Sequence, residues 1–177
     1  MSTDTSTIYN KYNTDLVKRN KINKNKKVIK ISIITDFYGI PLNIQIYSGN
    51  VHDSNILEQQ LNENLYIDEV IVDKYKKYFL ADKGYDSQKL RDILEELDFH
   101  PIISYNKRNT KDVNKIKKLS SADKEIYSNR IIVENTFAKL KMHYSRLNTV
   151  HERQAKNYMG FLFLAFIDIL LKRIYTA

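Results

Sequence analysis

A run of β-branched residues, Val28 to Phe37 (VIKISIITDF), turns at Tyr38-Gly39 into a second run, Pro41 to Tyr47, and this pair most narrows what the chain can fold into. Partial alternation around a glycine turn predicts an antiparallel hairpin. Helix and strand signals then alternate. Gly49-Asn50 breaks the second strand, and His52-Asp53-Ser54 stands where a helix N-cap would, ahead of Ile56, Leu57 and Leu61. Tyr78 to Ala81 reads as a short strand ending at Asp82, with Lys83-Gly84 as the turn after it. Asp86 or Ser87 caps a helix to about Leu97, whose apolar positions Leu90, Ile93, Leu94 and Leu97 keep helical spacing. Pro101 to Ser104 is another short strand. A long helix is predicted from about Ala122 to His143, and a last one from about Ala155 to Tyr175. An antiparallel start followed by alternating helices and strands predicts an α/β fold, a mixed sheet with flanking helices.

Two stretches carry no hydrophobic period. Residues 10–27 are polar and basic and read as an exposed loop, and Asn106 to Lys118 reads as a second basic loop. Residues 1–150 are expected to form one core, and 151–177 an apolar C-terminal helix packed on it. A chain of 177 residues suits that size.

Charge narrows the partners. The net charge of +8 and a pI of about 9.4 favour an acidic polymer, and nucleic acid is the commonest. The absence of cysteine excludes disulfides and thiolate metal sites. The polar start MSTDTSTIYN has no apolar signal core. The apolar stretch Met159 to Ile167, extended past Asp168 by Ile169 to Leu171, falls short of the roughly 18–20 residues of a membrane span. The expectation is a soluble protein of the cytoplasm or nucleoid, with no membrane partner.

The long helix holds the most informative spacing. Tyr127, Arg130, Glu134 and Lys141 lie at offsets 0, 3, 7 and 14. At about 100° and 1.5 Å per residue they fall within an arc of about 60°, a polar stripe about 21 Å long. Ile126, Val133, Phe137 and Leu140 form an apolar stripe beside it. Two further carboxylates stand out. Asp82 ends a hydrophobic strand at ADKGYDS, and strand ends are where ligands collect in open α/β sheets. Asp4, in TDTST, lies among strand-favouring threonines. Hard cations such as magnesium take oxygen ligands and keep several waters, so two or three carboxylates from separate elements suffice for them. Two such ions roughly 3.5–4 Å apart can serve both oxygens of an in-line displacement. Arg130 and Lys141 would then meet phosphates, the arginine in bidentate fashion.

The segment YSNRIIVENTFAKLK has the Y-(2)-R-(3)-E-(6)-K spacing that marks many insertion-sequence transposases with a DDE catalytic triad. ITDFYGIPLNIQIYSGNVHDS resembles that family's hairpin-and-helix entry, and ADKGYDS resembles its second aspartate block. DTSTIYNKYN resembles the first aspartate block, and RLNTVHERQAKNYMGFLFLAFI the closing segment. The resemblance covers nearly the whole chain. It implies a ribonuclease-H-like fold with Asp4, Asp82 and Glu134 as catalytic ligands of two divalent metal ions, Mg2+ or Mn2+. It further implies Tyr127, Arg130 and Lys141 as contacts to DNA phosphates. The reaction it implies is nicking of DNA at the element end, then attack of the freed 3′ hydroxyl on target DNA by a homodimer on paired ends. Only Met1, Ser2 and Thr3 precede Asp4, so the expectation is an N-terminally truncated copy whose first strand is incomplete and poorly anchored. A DNA-binding remnant without catalysis and a nuclease without strand transfer are the alternatives.

Overall fold

The computed structural model describes residues 1–11, 15–21, 24–63, 77–107 and 118–176. In chain order these form β1 (Ser2–Asn10), β2 (Lys18–Asn20), β3 (Lys26–Thr35), β4 (Pro41–Ser48), α1 (Asp53–Glu63), β5 (Lys77–Ala81), α2 (Gln88–Glu96) and β6 (Phe99–Ile103). Then come α3 (Ser121–Tyr127), α4 (Ile131–His143), β7 (Thr149–Val150) and α5 (Ala155–Thr176). Single 3-10 turns occupy Lys83–Tyr85, Ser128–Arg130 and Ser145–Asn148.

The strands make one mixed sheet. β4 and β2 pair with β3, and β3 pairs antiparallel with β1 from Ser2↔Thr35 to Tyr9↔Val28. On its other side β1 runs parallel to β5, which runs parallel to β6, while the short β7 also pairs with β1. The order β4-β3-β1-β5-β6, antiparallel on one side of β1 and parallel on the other, is the ribonuclease-H-like arrangement. β1 holds the centre through residues on both sides of Asp4.

Both faces of the sheet are covered, which is why β3 is buried from Val28 to Thr35. Its odd-numbered isoleucines, Ile29, Ile31 and Ile33, join Ile8 of β1 in a core with Val133, Phe137 and Leu140 of α4 and Tyr158, Leu162 and Phe166 of α5. Ile34 faces the opposite core, with Leu57 and Leu61 of α1, Phe79 and Ala81 of β5, and Leu90 and Leu94 of α2. On that second face β3 also carries two polar residues, and each finds a partner on α1. Ser32 Oγ donates to Gln60 Oε1 at 2.6 Å, and Lys30 Nζ pairs with Asp53 at 2.7 Å.

Two expectations are corrected. Residues 10–27 are not simply an exposed loop, because Lys18–Asn20 is a strand paired with Lys26–Val28. Lys24 and Asn25 both take positive φ (53° and 56°), which folds the chain back tightly enough for that pairing. An all-polar ribbon shows no hydrophobic period. The long helix is also not uniform. Ser128 Oγ donates to the carbonyl of Glu125, and Asn129 Nδ2 to that of Ile126. These side-chain bonds to carbonyls three residues back accompany the tighter 3-10 turn at Ser128–Arg130. Most of the second basic loop, residues 108–117, lies outside the described residues.

Candidate active site

β1 decides which side chains meet, because successive residues of a strand point to opposite faces. Asp4 shares the parity of Ile8 and faces α4. Its Oδ2 lies 3.5 Å from Arg130 Nη1, and its Oδ1 accepts the N–H of Thr5 at 2.8 Å. Arg130 Nη2 donates in turn to Glu134 Oε1, one helical turn on. One guanidinium therefore bridges carboxylates that are 130 residues apart in sequence. Asp82 follows directly on β5, the parallel neighbour of β1, and initiates the 3-10 turn Lys83–Tyr85 without using its carboxylate as a cap.

Asp4 feels the charge of both other carboxylates. Burial pushes the carboxyl of Asp4 above the usual carboxylate range. The Thr5 N–H and Arg130 pull it down, and Glu134 and Asp82 push it further up. Burial works against the guanidinium of Arg130, yet Asp4, Tyr127, Glu134 and Asp82 together hold it more firmly charged than usual. The Tyr127 ring centroid is 6.0 Å from the Arg130 guanidinium carbon. Lys141 is exposed near the end of α4, two helical turns beyond Glu134, and so extends the polar stripe outward.

An all-oxygen donor set of three carboxylates fits a hard divalent cation in chemical type. Among the described residues no group of three or more such side chains is already spaced as a ligand set. Arg130 occupies Asp4 and Glu134, so cation binding requires those carboxylates to exchange a guanidinium for the ion.

Behind Asp4 stands a network that composition and spacing did not reveal. Thr5 has the opposite parity and faces α1, where its hydroxyl donates to Asp53 Oδ1 at 2.9 Å. The same oxygen receives Lys30 Nζ, which also donates to the Val51 carbonyl at 2.7 Å. Asp53 thus does more than begin a helix. The fully buried Tyr85 hydroxyl lies beside the Thr3 and Thr5 hydroxyls, in the field of Asp53 and Asp4. Burial pushes that phenol well above its ordinary value, and the two aspartates add to the effect. The one sequence signal for this network was Lys30 itself, a lysine amid the apolar run VIKISII.

Other polar residues serve the fold. Asp36 Oδ1 accepts the N–H groups of Tyr38 and Ile40 and so shapes the hairpin turn. Asp86 pairs with Arg91 at 2.8 Å, while Ser87 occupies the cap position of α2 without a side-chain bond. His52, His100, His143 and His151 are all exposed. No helix among the described residues is long and apolar enough to cross a membrane.

Residues 3–167 match the family model described as "Transposase DDE domain". Among solved structures the chain is similar to the Mos1 transposase paired-end complex with left transposon end, at 14% identity and a TM-score of 0.38. The alignment covers 82% of this chain and 53% of that one, so this chain spans about half the length of that relative. No curated protein matches it.

Proposed function

The chain belongs to the family of transposases with a DDE domain, and on that premise we propose that it is a catalytic domain for metal-dependent DNA strand cleavage and strand transfer. Asp4, Asp82 and Glu134 are the proposed ligands of two divalent ions, magnesium or manganese. The observation that carries this reading is the Asp4–Arg130–Glu134 bridge, which brings β1 and α4 together beside the end of β5. Positive charge is held there by partly exposed carboxylates of like charge, the setting in which a divalent cation is favoured.

When bound, such ions supply activation of an attacking oxygen and stabilisation of a leaving one. The residues themselves position. Asp4 is fixed by the Thr5 N–H, and Thr5 by Asp53. Arg130, released from its carboxylates, meets a DNA phosphate in bidentate fashion, with Tyr127 beside it and Lys141 further along the strand as a point charge. Double-stranded DNA, both element end and target, is the proposed substrate. The exposed apolar side chains of α5, Phe163, Leu164, Ile167 and Ile174, are the proposed contact for a homodimer on DNA. Light scattering with and without DNA tests that part.

A supercoiled-plasmid nicking assay in magnesium or manganese, comparing the wild type with Glu134→Ala, tests the chemistry. Metal-dependent nicking that disappears in the variant is the expected result, together with joined products when element-end and target DNA are supplied. Nicking without joining would replace strand transfer with simple nuclease action. DNA binding without nicking by folded protein would leave a binding remnant.

A further inference from the structure

A cavity of about 340 Å3 opens beside Asp82, lined by Lys83, Tyr105, Asn106 and Lys107. It lies at the carboxyl ends of two adjacent parallel strands, β5 and β6, which are in register at Ala81↔Ile103. In α/β sheets that is where ligands bind, and the volume is within the ~300–1,000 Å3 typical of small-molecule sites. The loop that forms it is held by buried charge. Arg91 and Asp86, each 9% exposed, pair at 2.8 Å. Asp86 Oδ2 accepts the Asn106 N–H at 2.7 Å, and Arg91 donates to the Ile103 carbonyl at 2.9 Å. The Arg91 guanidinium also lies 4.2 Å from the Tyr105 ring centroid. Asn106 Nδ2 reaches the Lys83 carbonyl at 3.4 Å, which ties the loop to the turn that follows Asp82. Burying two charges carries a large desolvation penalty, and here the pair's bonds hold a surface loop that presents the Tyr105 ring and the Lys107 ammonium group beside Lys83.

We propose that this cavity is a subsite for one unpaired nucleotide of a DNA strand passing Asp82, with the base stacked on Tyr105 and the flanking phosphates met by Lys83 and Lys107. The proposal rests on the reading of the chain as a DNA-processing domain. Stacking is tolerant of base identity, so the subsite selects for an unpaired nucleotide and not for a sequence. The two exposed lysines that line the cavity with that ring supply the phosphate attraction that single-strand binding needs.

The test measures anisotropy with a blunt DNA duplex and with the same duplex carrying a short 3′ thymidine overhang, in calcium to prevent cleavage. The readout is the ratio of the two affinities, which partial misfolding does not selectively change. The wild type should favour the overhang on the order of tenfold, within the range that one stacked base supplies. Tyr105→Ala should lower the ratio severalfold, and Tyr105→Phe should retain it. Replacing both lysines by alanine should lower the salt slope for the overhang by about 1.4, at ~0.7 per single-strand phosphate contact. In the wild type alone, 2-aminopurine in the overhang should lose emission on binding as it stacks. Equal affinity for the two duplexes in the wild type, or a ratio unchanged by Tyr105→Ala, would overturn the subsite and leave the DNA reading standing. Binding to neither duplex would overturn both.

Discussion

Breaking the Lys30–Asp53 pair should cost unequal amounts from its two ends. Lys30 Nζ lies 2.7 Å from Asp53 Oδ1 and 2.7 Å from the Val51 carbonyl, and its side chain is 8% exposed, against 29% for Asp53. Asp53→Ala leaves a buried ammonium with a single carbonyl for company. Removing one partner of a buried pair costs about 3–5 kcal/mol, and the lysine's burial places this variant at about 3–4 kcal/mol. Lys30→Met leaves a carboxylate that still accepts the Thr5 hydroxyl and that water can reach, and its linear side chain refills the space, so about 1–2 kcal/mol is expected. The double variant removes both charges and should cost less than Asp53→Ala alone, giving a coupling of about 2–3 kcal/mol. Urea unfolding of the four proteins at neutral pH and constant ionic strength measures all three quantities. An Asp53→Ala cost no greater than that of Lys30→Met would refute the claim that the lysine is the desolvated end. Additive costs would show that the two side chains do not act as a pair.

Asp4, raised by burial, binds a proton more readily in the folded than in the unfolded chain. Its contribution to stability therefore falls as pH rises from about 4, the ordinary carboxylate value, to its higher folded value. Asp4→Asn should consequently gain on the wild type across that window, and parallel stability curves would contradict this. Arg130→Met withdraws the cation that pulls Asp4 down, so carbon NMR of the side-chain carboxyl should find it titrating higher still than in the wild type. Gly49→Ala would place a Cβ 2.3 Å from the Val28 carbonyl oxygen, so β3 or the turn must shift. Thermal and urea unfolding should show a loss of at least ~2 kcal/mol, in the range of overpacking.

How much the residues disclose depends on whether the relevant physics is local. The hairpin was legible because β-branched alternation and the Tyr38-Gly39 turn act within a few residues, and Gly39 does take a positive φ of 76°. The apolar stripe of the long helix was legible for the same reason: Val133, Phe137 and Leu140 are indeed buried, while Ile126, before the 3-10 turn, is only half-buried. Residues 18–20 were missed because β2 is fixed by backbone pairing and two positive-φ residues, neither of which leaves a hydrophobic pattern. The 3-10 turn at Ser128–Arg130 was missed because Ser and Asn compete for backbone carbonyls only when a particular rotamer is taken. Asp53 was legible as a helix start but not as the partner of Lys30 and Thr5, which are 23 and 48 residues away. Spacing within one element cannot encode a contact between three.

β1 links the two halves of the site. Its Asp4 reaches Arg130 on the α4 side, while the next residue, Thr5, reaches Asp53 on the α1 side. The connection between them is one peptide unit, whose N–H is itself bonded to the Asp4 carboxylate. Register therefore controls the site more tightly than composition does. A slip of β1 by one residue against β3 would turn Asp4 toward the Lys30–Asp53 pair and Thr5 toward Arg130, exchanging the two faces. The ladder from Ser2↔Thr35 to Tyr9↔Val28 opposes that slip with eight paired positions, and Ile8 opposes it by packing on the α4 side. Apolar residues fix the parity from both ends, Met1 in the core on the α1 side and Ile8 in the core on the α4 side, and Thr3 Oγ1 adds a bond to the Ile33 carbonyl, so the placement of Asp4 is decided by the chain on both sides of it.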